Sequence, residues 1–231
     1  MINKDSIPSG ASKTPTGRTY AGLNPQQRKS LRSKQFLQAG LEIFGSNGYR
    51  AATVRSLCKE AKLTDRYFYE SFGSLEKLIM EVYEQCMSEI KSDILDAIKQ
   101  EYPKNGAQHA IKAGLLTFFS ALEDPQVARI CLVELEGIST EVNTLYYRYI
   151  NNFAEMLVEL ANLAYPFWEL NKSQKRMVGI SLIGAARQAA TDWFVSGYKM
   201  DKDNLVSATA YLFICVVDSI KYSQIHHHEL S

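Results

Sequence analysis

Little in this 231-residue chain could staple it, hold a metal or carry out chemistry. Its four cysteines, Cys58, Cys86, Cys131 and Cys215, lie far apart and mostly inside apolar stretches. That spacing fits neither a zinc site nor a disulfide framework, so they read as reduced thiols in a core. The longest fully apolar run, Ala210 to Val217, is much too short to cross a bilayer. The first residues carry no signal-peptide pattern, and a soluble, cytoplasmic protein without membrane contact is expected. A Gly-rich phosphate loop and any nucleophile–base spacing are both missing, so neither an enzyme nor a cofactor is expected. His226, His227 and His228 read as a frayed tail end rather than a metal site. Period-two runs bounded by hairpin turns are also missing, which removes the strand alternative.

Acidic residues are absent from one long stretch. None occurs between Asp5 and Glu42, where Lys13, Arg18, Arg28, Lys29, Arg32 and Lys34 all fall. The overall net charge of +1 hides this asymmetry. Residues 1–80 hold thirteen Lys/Arg against six Asp/Glu, and residues 81–231 hold thirteen against nineteen. A basic head that meets phosphates and a mildly acidic body with another task are implied.

The remaining pattern is helical throughout, and the expected fold is all-α with about nine helices. Residues 1–23 mix Ser, Thr, Gly, Pro and Lys with few large apolar groups, the composition of a flexible basic arm. A first helix starts at Asn24-Pro25, an N-cap followed by a proline that needs no helical N–H bond. Phe36, Leu37, Gly40, Leu41 and Phe44 then recur at helical spacing up to Asn47-Gly48. Short helices follow over about 54–61 and 65–72, and Ser74 is placed to cap a long fourth helix reaching roughly Glu101. Pro103, Pro125 and Pro166 punctuate the rest, including a strongly periodic helix from Thr140 to Ala164. The expected domains are the arm 1–23, a DNA-binding domain 24–80 and a body 81–231.

The most telling stretch is Thr53 to Phe72, a short helix, a tight turn and a second short helix. Thr53 is a natural N-cap for the first helix and Thr64 for the second. Leu57, Ala61, Phe68 and Phe72 face inward, the two phenylalanines packing onto helix 1 around Phe44. Arg66 and Glu70 take the opposite face, flanked by Tyr67 and Tyr69. Arg66 can pair bidentately with guanine, and Tyr67 can touch a thymine methyl or a phosphate. Tyr69 suits a phosphate donor, while Glu70 can accept from cytosine or tie down Arg66 at i,i+4. Thr53, Arg55, Thr64, Asp65, Arg66, Tyr67, Tyr69 and Lys77 form the expected DNA-contacting set.

Phe44, Gly48, Tyr49, Thr53, Leu57, Ala61, Thr64, Tyr69, Phe72, Ser74, Glu76 and Leu78 together resemble the DNA-binding domain of the TetR (tetracycline-repressor-like) family, over about residues 31–91. Lys62 stands where that family usually has the turn glycine, Arg66 where glycine is common, and Leu75 where a phosphate-binding lysine is frequent. Base preference therefore cannot be carried over. The resemblance implies a homodimer bearing two recognition helices on a palindromic duplex operator, with helices of the body enclosing a small-molecule pocket.

The body has material for both tasks. Gly179, Ser181, Gly184, Ala185, Ala186, Ala189 and Ala190 let helices approach closely, and the helix around Tyr211 to Val217 is apolar nearly all round. Dimerisation through the last two helices is expected. Phe118, Glu134, Tyr146, Tyr149, Arg187 and Trp193 are the expected ligand contacts, suited to an apolar or aromatic effector. The resulting reading is a ligand-responsive repressor. Its rivals are a helical carrier or sensor without DNA binding and an all-α enzyme.

Overall fold

The computed structural model describes residues 24–166, 168 and 170–229, with side chains through Tyr222. The N-terminal arm 1–23, Phe167 and the side chains of the three terminal histidines lie outside the described residues. Among those described there are eight α-helices and no strand. They run α1 (Pro25–Asn47), α2 (Val54–Ala61), α3 (Asp65–Ser71), α4 (Leu75–Ala121), α5 (Pro125–Arg129), α6 (Thr140–Ala164), α7 (Lys172–Val195) and α8 (Lys202–Glu229). A 3-10 turn, Tyr49–Ala51, and a π-helical segment, Ile130–Glu134, complete the order. The fourth helix is longer than its periodicity suggests but broken: Gly106 stands at φ 76°, ψ −173°, three residues after Pro103. Counted as two arms about that break, the helices number nine.

Local chemistry places the helix ends. Asn24 accepts from the Gln27 N–H at 2.8 Å while the Gln27 side chain accepts from the Asn24 N–H at 2.8 Å, a reciprocal capping box with Pro25 at the first helical position. Thr53 and Ser56 repeat the device at α2, and Asn171 with Gln174 at α7. Ser74 caps α4 by accepting from the Lys77 N–H at 3.1 Å. Thr64 differs from its expected role. It occupies the N-cap position of α3, but its side chain caps nothing.

One continuous core runs from Phe36 in α1 to Phe213 in α8. In the head, Phe68 and Phe72 pack edge-on against Phe36, at 5.5 and 6.0 Å between ring centroids. Phe44 instead meets Tyr49 at 5.9 Å, so the aromatic centre sits two turns earlier on α1 than its sequence neighbourhood suggests. The end of α1 abuts α5 very closely. A Cβ added at Gly45 would lie 2.4 Å from the Gln126 Cβ, and only glycine allows that approach. The Gln126 side chain then donates to Glu42 at 2.8 Å and to Ser46 at 3.1 Å. Ser139, at the start of α6, donates to Glu76 at 2.7 Å in the first turn of α4. Head and body are therefore joined at several points.

Candidate nucleic-acid interface and internal cavity

The turn between α2 and α3 closes on Lys62, which adopts the left-handed conformation at φ 55°, ψ 38°. Its N–H reaches back to the Lys59 carbonyl and that of Leu63 to Cys58, satisfying the last carbonyls of α2. This holds α3 across α1, with Phe68 wholly buried and the opposite face in solvent. Thr53, Arg55, Thr64, Asp65, Arg66, Tyr69 and Lys77 are all exposed. Arg66 is 81% exposed and donates to Glu70 at 2.8 Å, so Glu70 takes the tethering role. Tyr69 is 58% exposed, its ring edge-on to Phe68 at 5.4 Å. Tyr67 is half-buried, with the Arg32 guanidinium of α1 stacked 4.2 Å from its ring centre. Its ring therefore packs against α1.

A partly open cavity of about 190 Å³ lies between α4, α6, α7 and α8. Its wall on α4 extends from Tyr83 to Ile98 and beyond, about 22 Å at 1.5 Å per residue. Ile94, Ile98, Phe118, Leu157, Leu182 and Ile220 represent an otherwise aliphatic and aromatic lining. The phenol groups of Tyr83, Tyr102, Tyr146 and Tyr165 and one charged side chain, Arg187, interrupt it. Burial pushes the Tyr83 hydroxyl far above the ordinary phenol range. It also raises Tyr146, against the pull of the neighbouring Arg187. Cys131 lines the cavity too; its thiol is hydrogen-bonded to Cys86, which with burial holds Cys131 well above the usual thiol range.

Three of the six expected ligand contacts, Phe118, Tyr146 and Arg187, meet in this cavity. The other three do not. Glu134 faces the head, where it accepts the Tyr49 N–H at 2.8 Å and lies 3.6 Å from Arg129. Tyr149 stands behind the wall, edge-on to Tyr83 at 5.4 Å with its hydroxyl 3.2 Å from Ser88. Trp193 is core: it packs on Phe119 and Tyr198 and donates its indole N–H to the Met200 carbonyl at 2.8 Å. Sequence reasoning favoured aromatic and charged residues and passed over the aliphatic lining. Ile94, Ile98, Leu157 and Leu160 follow the helical period, and that pattern is the same for a packed core as for a cavity wall.

Arg187 does more than line the cavity. Its Nη2 donates to the Leu132 carbonyl in the π segment and to Glu136, both at 2.9 Å. The guanidinium carbon lies 5.0 Å from the centre of the Tyr146 ring.

An exposed, basic two-helix reader joined to an all-helical body with an apolar cavity defines a DNA-binding regulator of the one-component kind. Residues 36–82 match the profile of the bacterial regulatory proteins of the tetR family. The chain is a DNA-binding transcriptional regulator carrying that family's N-terminal domain. It is 20% identical over 190 residues to the fatty acid metabolism regulator protein of Bacillus subtilis, covering 81% of this chain and 96% of that one. The transcriptional activator FasR of Mycolicibacterium smegmatis is 22% identical over 213 residues, covering 85% and 87%. The crystal structure of FadR from Bacillus subtilis in complex with stearoyl-CoA superposes with a TM-score of 0.68 at 20% identity, over 78% of this chain and 96% of that chain.

Proposed function

We propose that this chain is a homodimeric, cytoplasmic repressor whose effector is a long acyl chain bound in the body, residues 81–231, and whose operator is read by residues 24–80. The observation that carries the effector is the chemistry of the cavity along its wall of about 22 Å on α4: aliphatic and aromatic, and charged at one place only. A flexible hydrocarbon chain fits such a channel, whereas a compact polar metabolite would leave its own groups unpaired there. The stearoyl-CoA named for the Bacillus subtilis relative agrees in kind.

The volume supports a switching role. At about 190 Å³ the cavity is below the roughly 300–1,000 Å³ of ordinary ligand sites. On this reading a long chain parts α4 from α6 and α7 as it enters. Because α4 begins directly after the reading helix, such parting changes the placement of the head. That is the differential affinity a ligand needs if it is to shift an equilibrium.

The dimer reading rests on two stripes exposed on the single chain. On α7, Met177, Ser181, Gly184, Gln188 and Val195 are exposed at helical spacing. On α8, Ala208, Tyr211, Cys215 and Tyr222 are likewise exposed. Apolar nearly all round, α8 leaves Tyr211 68% and Leu212 48% exposed on the single chain. Its segment Lys202–Tyr222 is long and apolar enough to cross a membrane, and a third of that window is buried in the protomer. A second copy laid across both stripes covers this apolar face and pairs two recognition helices about one DNA turn apart.

The test is fluorescence anisotropy on labelled duplex DNA from upstream of the protein's own gene, with acyl ligands of graded length. Stearoyl-CoA or stearate should lower operator affinity at least tenfold, and butyryl-CoA should not. Operator affinity indifferent to every chain length would sink the acyl reading.

A further inference from the structure

One guanidinium touches both the cavity and the element that holds the head. Arg187 is the only charged side chain in the lining of the cavity among the described residues. Its Nη2 is fully engaged by the Leu132 carbonyl and Glu136. Its Nε is buried and has no hydrogen-bond partner. A buried guanidinium N–H without an acceptor is unfavourable, and a ligand oxygen that reaches Nε from the cavity side as the helices part relieves it.

The Leu132 carbonyl belongs to the π segment Ile130–Glu134, a wide turn of the kind that places backbone groups for a task rather than for regular packing. The same segment ends in Glu134, whose carboxylate accepts the Tyr49 N–H at 2.8 Å. Tyr49 opens the 3-10 turn that runs straight into Thr53, the N-cap of α2. Gly48 sits so close that an added Cβ would stand 3.1 Å from the Glu134 carboxylate. From cavity to reading head there are thus only a guanidinium, one π turn and one carboxylate.

Resting on the acyl reading above, we propose that Arg187 is the polar anchor of the ligand. Its Nε donates to the carboxylate or thioester carbonyl oxygen of the acyl chain, and the π segment carries that contact through Glu134 to the head. The chain's hydrocarbon supplies affinity, and the oxygen at Arg187 supplies the signal. A hydrocarbon of equal length without that oxygen binds more weakly and releases DNA poorly.

The ligand side tests this without altering the protein. Stearate, stearoyl-CoA and S-octadecyl-CoA, a thioether lacking only the carbonyl oxygen, are titrated calorimetrically against the full chain. A hydrogen bond to a charged group corresponds to roughly 10- to 100-fold in affinity, and the thioether should lose that much against stearoyl-CoA. Stearate binding alone would assign the anchor to a free carboxylate, and stearoyl-CoA binding alone to a thioester. In Arg187→Gln the thioester and thioether should bind equally, because the two deletions remove one contact. Glu134→Met, which removes the acceptor for the Tyr49 N–H, should keep the affinity for the acyl ligand while reducing the ligand's effect on operator binding several-fold. Equal binding of thioester and thioether by the unaltered protein, or undiminished coupling in Glu134→Met, overturns this inference and leaves the acyl reading standing. Failure of every acyl ligand to bind overturns both.

Discussion

Arg66, on the face of α3 proposed to meet DNA, is already engaged by Glu70. Their hydrogen bond at 2.8 Å is on the surface, with the guanidinium 81% exposed. A pair so exposed contributes little stability. DNA can exchange it for a base or phosphate contact without a large penalty. Arg66→Ala should therefore leave folding intact and relax preference at one operator position by about 1–3 kcal/mol. Tyr69→Phe should weaken all sequences alike. Competition binding across an operator variant set separates the two, and if neither variant changes binding, the face of α3 assigned to DNA is wrong. Lys62 makes a second residue-scale case. At φ 55° its left-handed backbone is strained for a side chain, and more so for a β-branched one. Urea unfolding should show Lys62→Gly no less stable than the parent, whereas Lys62→Val should lose about 1–3 kcal/mol.

Among the elements, α4 is the one whose interruption matters. Pro103 lacks an N–H and Gly106 adopts φ 76°, ψ −173°, a conformation open almost only to glycine. The break turns the chain so that the second arm, with Phe118, comes back to the cavity. An added Cβ at Gly106 would meet nothing within 4 Å, so any loss on substitution is backbone strain rather than a clash. Gly106→Ala should lower stability by about 1–3 kcal/mol in a thermal melt followed by circular dichroism. An unchanged melt would mean that the break is tolerated by any residue. The α1–α5 contact acts oppositely: at Gly45 it is space, not conformation, that requires glycine.

For the whole molecule the decisive surface is the paired stripe on α7 and α8. Leu212→Asp puts a charge into that apolar face without touching the cavity lining. In sedimentation equilibrium the variant should shift from dimer to monomer, and operator affinity should fall at least tenfold because one reading head lacks its partner. A variant that stays dimeric would move the interface elsewhere. The head was legible in sequence almost to the residue, since α2 runs Val54–Ala61 as its pattern predicts. Caps, turn and amphipathic face are local signals, each set within a few residues. The cavity was only half legible. Phe118, Tyr146 and Arg187 converge there, but Glu134, Tyr149 and Trp193 looked equivalent to them and are not.

By itself the sequence determined the all-helical class, the bounds of α2, α3 and α6, and the basic charge of the head, because each depends on neighbours along the chain. Only tertiary structure decided that Glu134 reaches the head rather than the cavity, that Phe36 and not Phe44 centres the aromatic core, and that Arg187 joins the cavity to the π segment. Those outcomes depend on which helix faces fold together from residues far apart in the chain. A helical period records that a face is apolar, but not whether it meets another helix, an internal cavity or a second subunit.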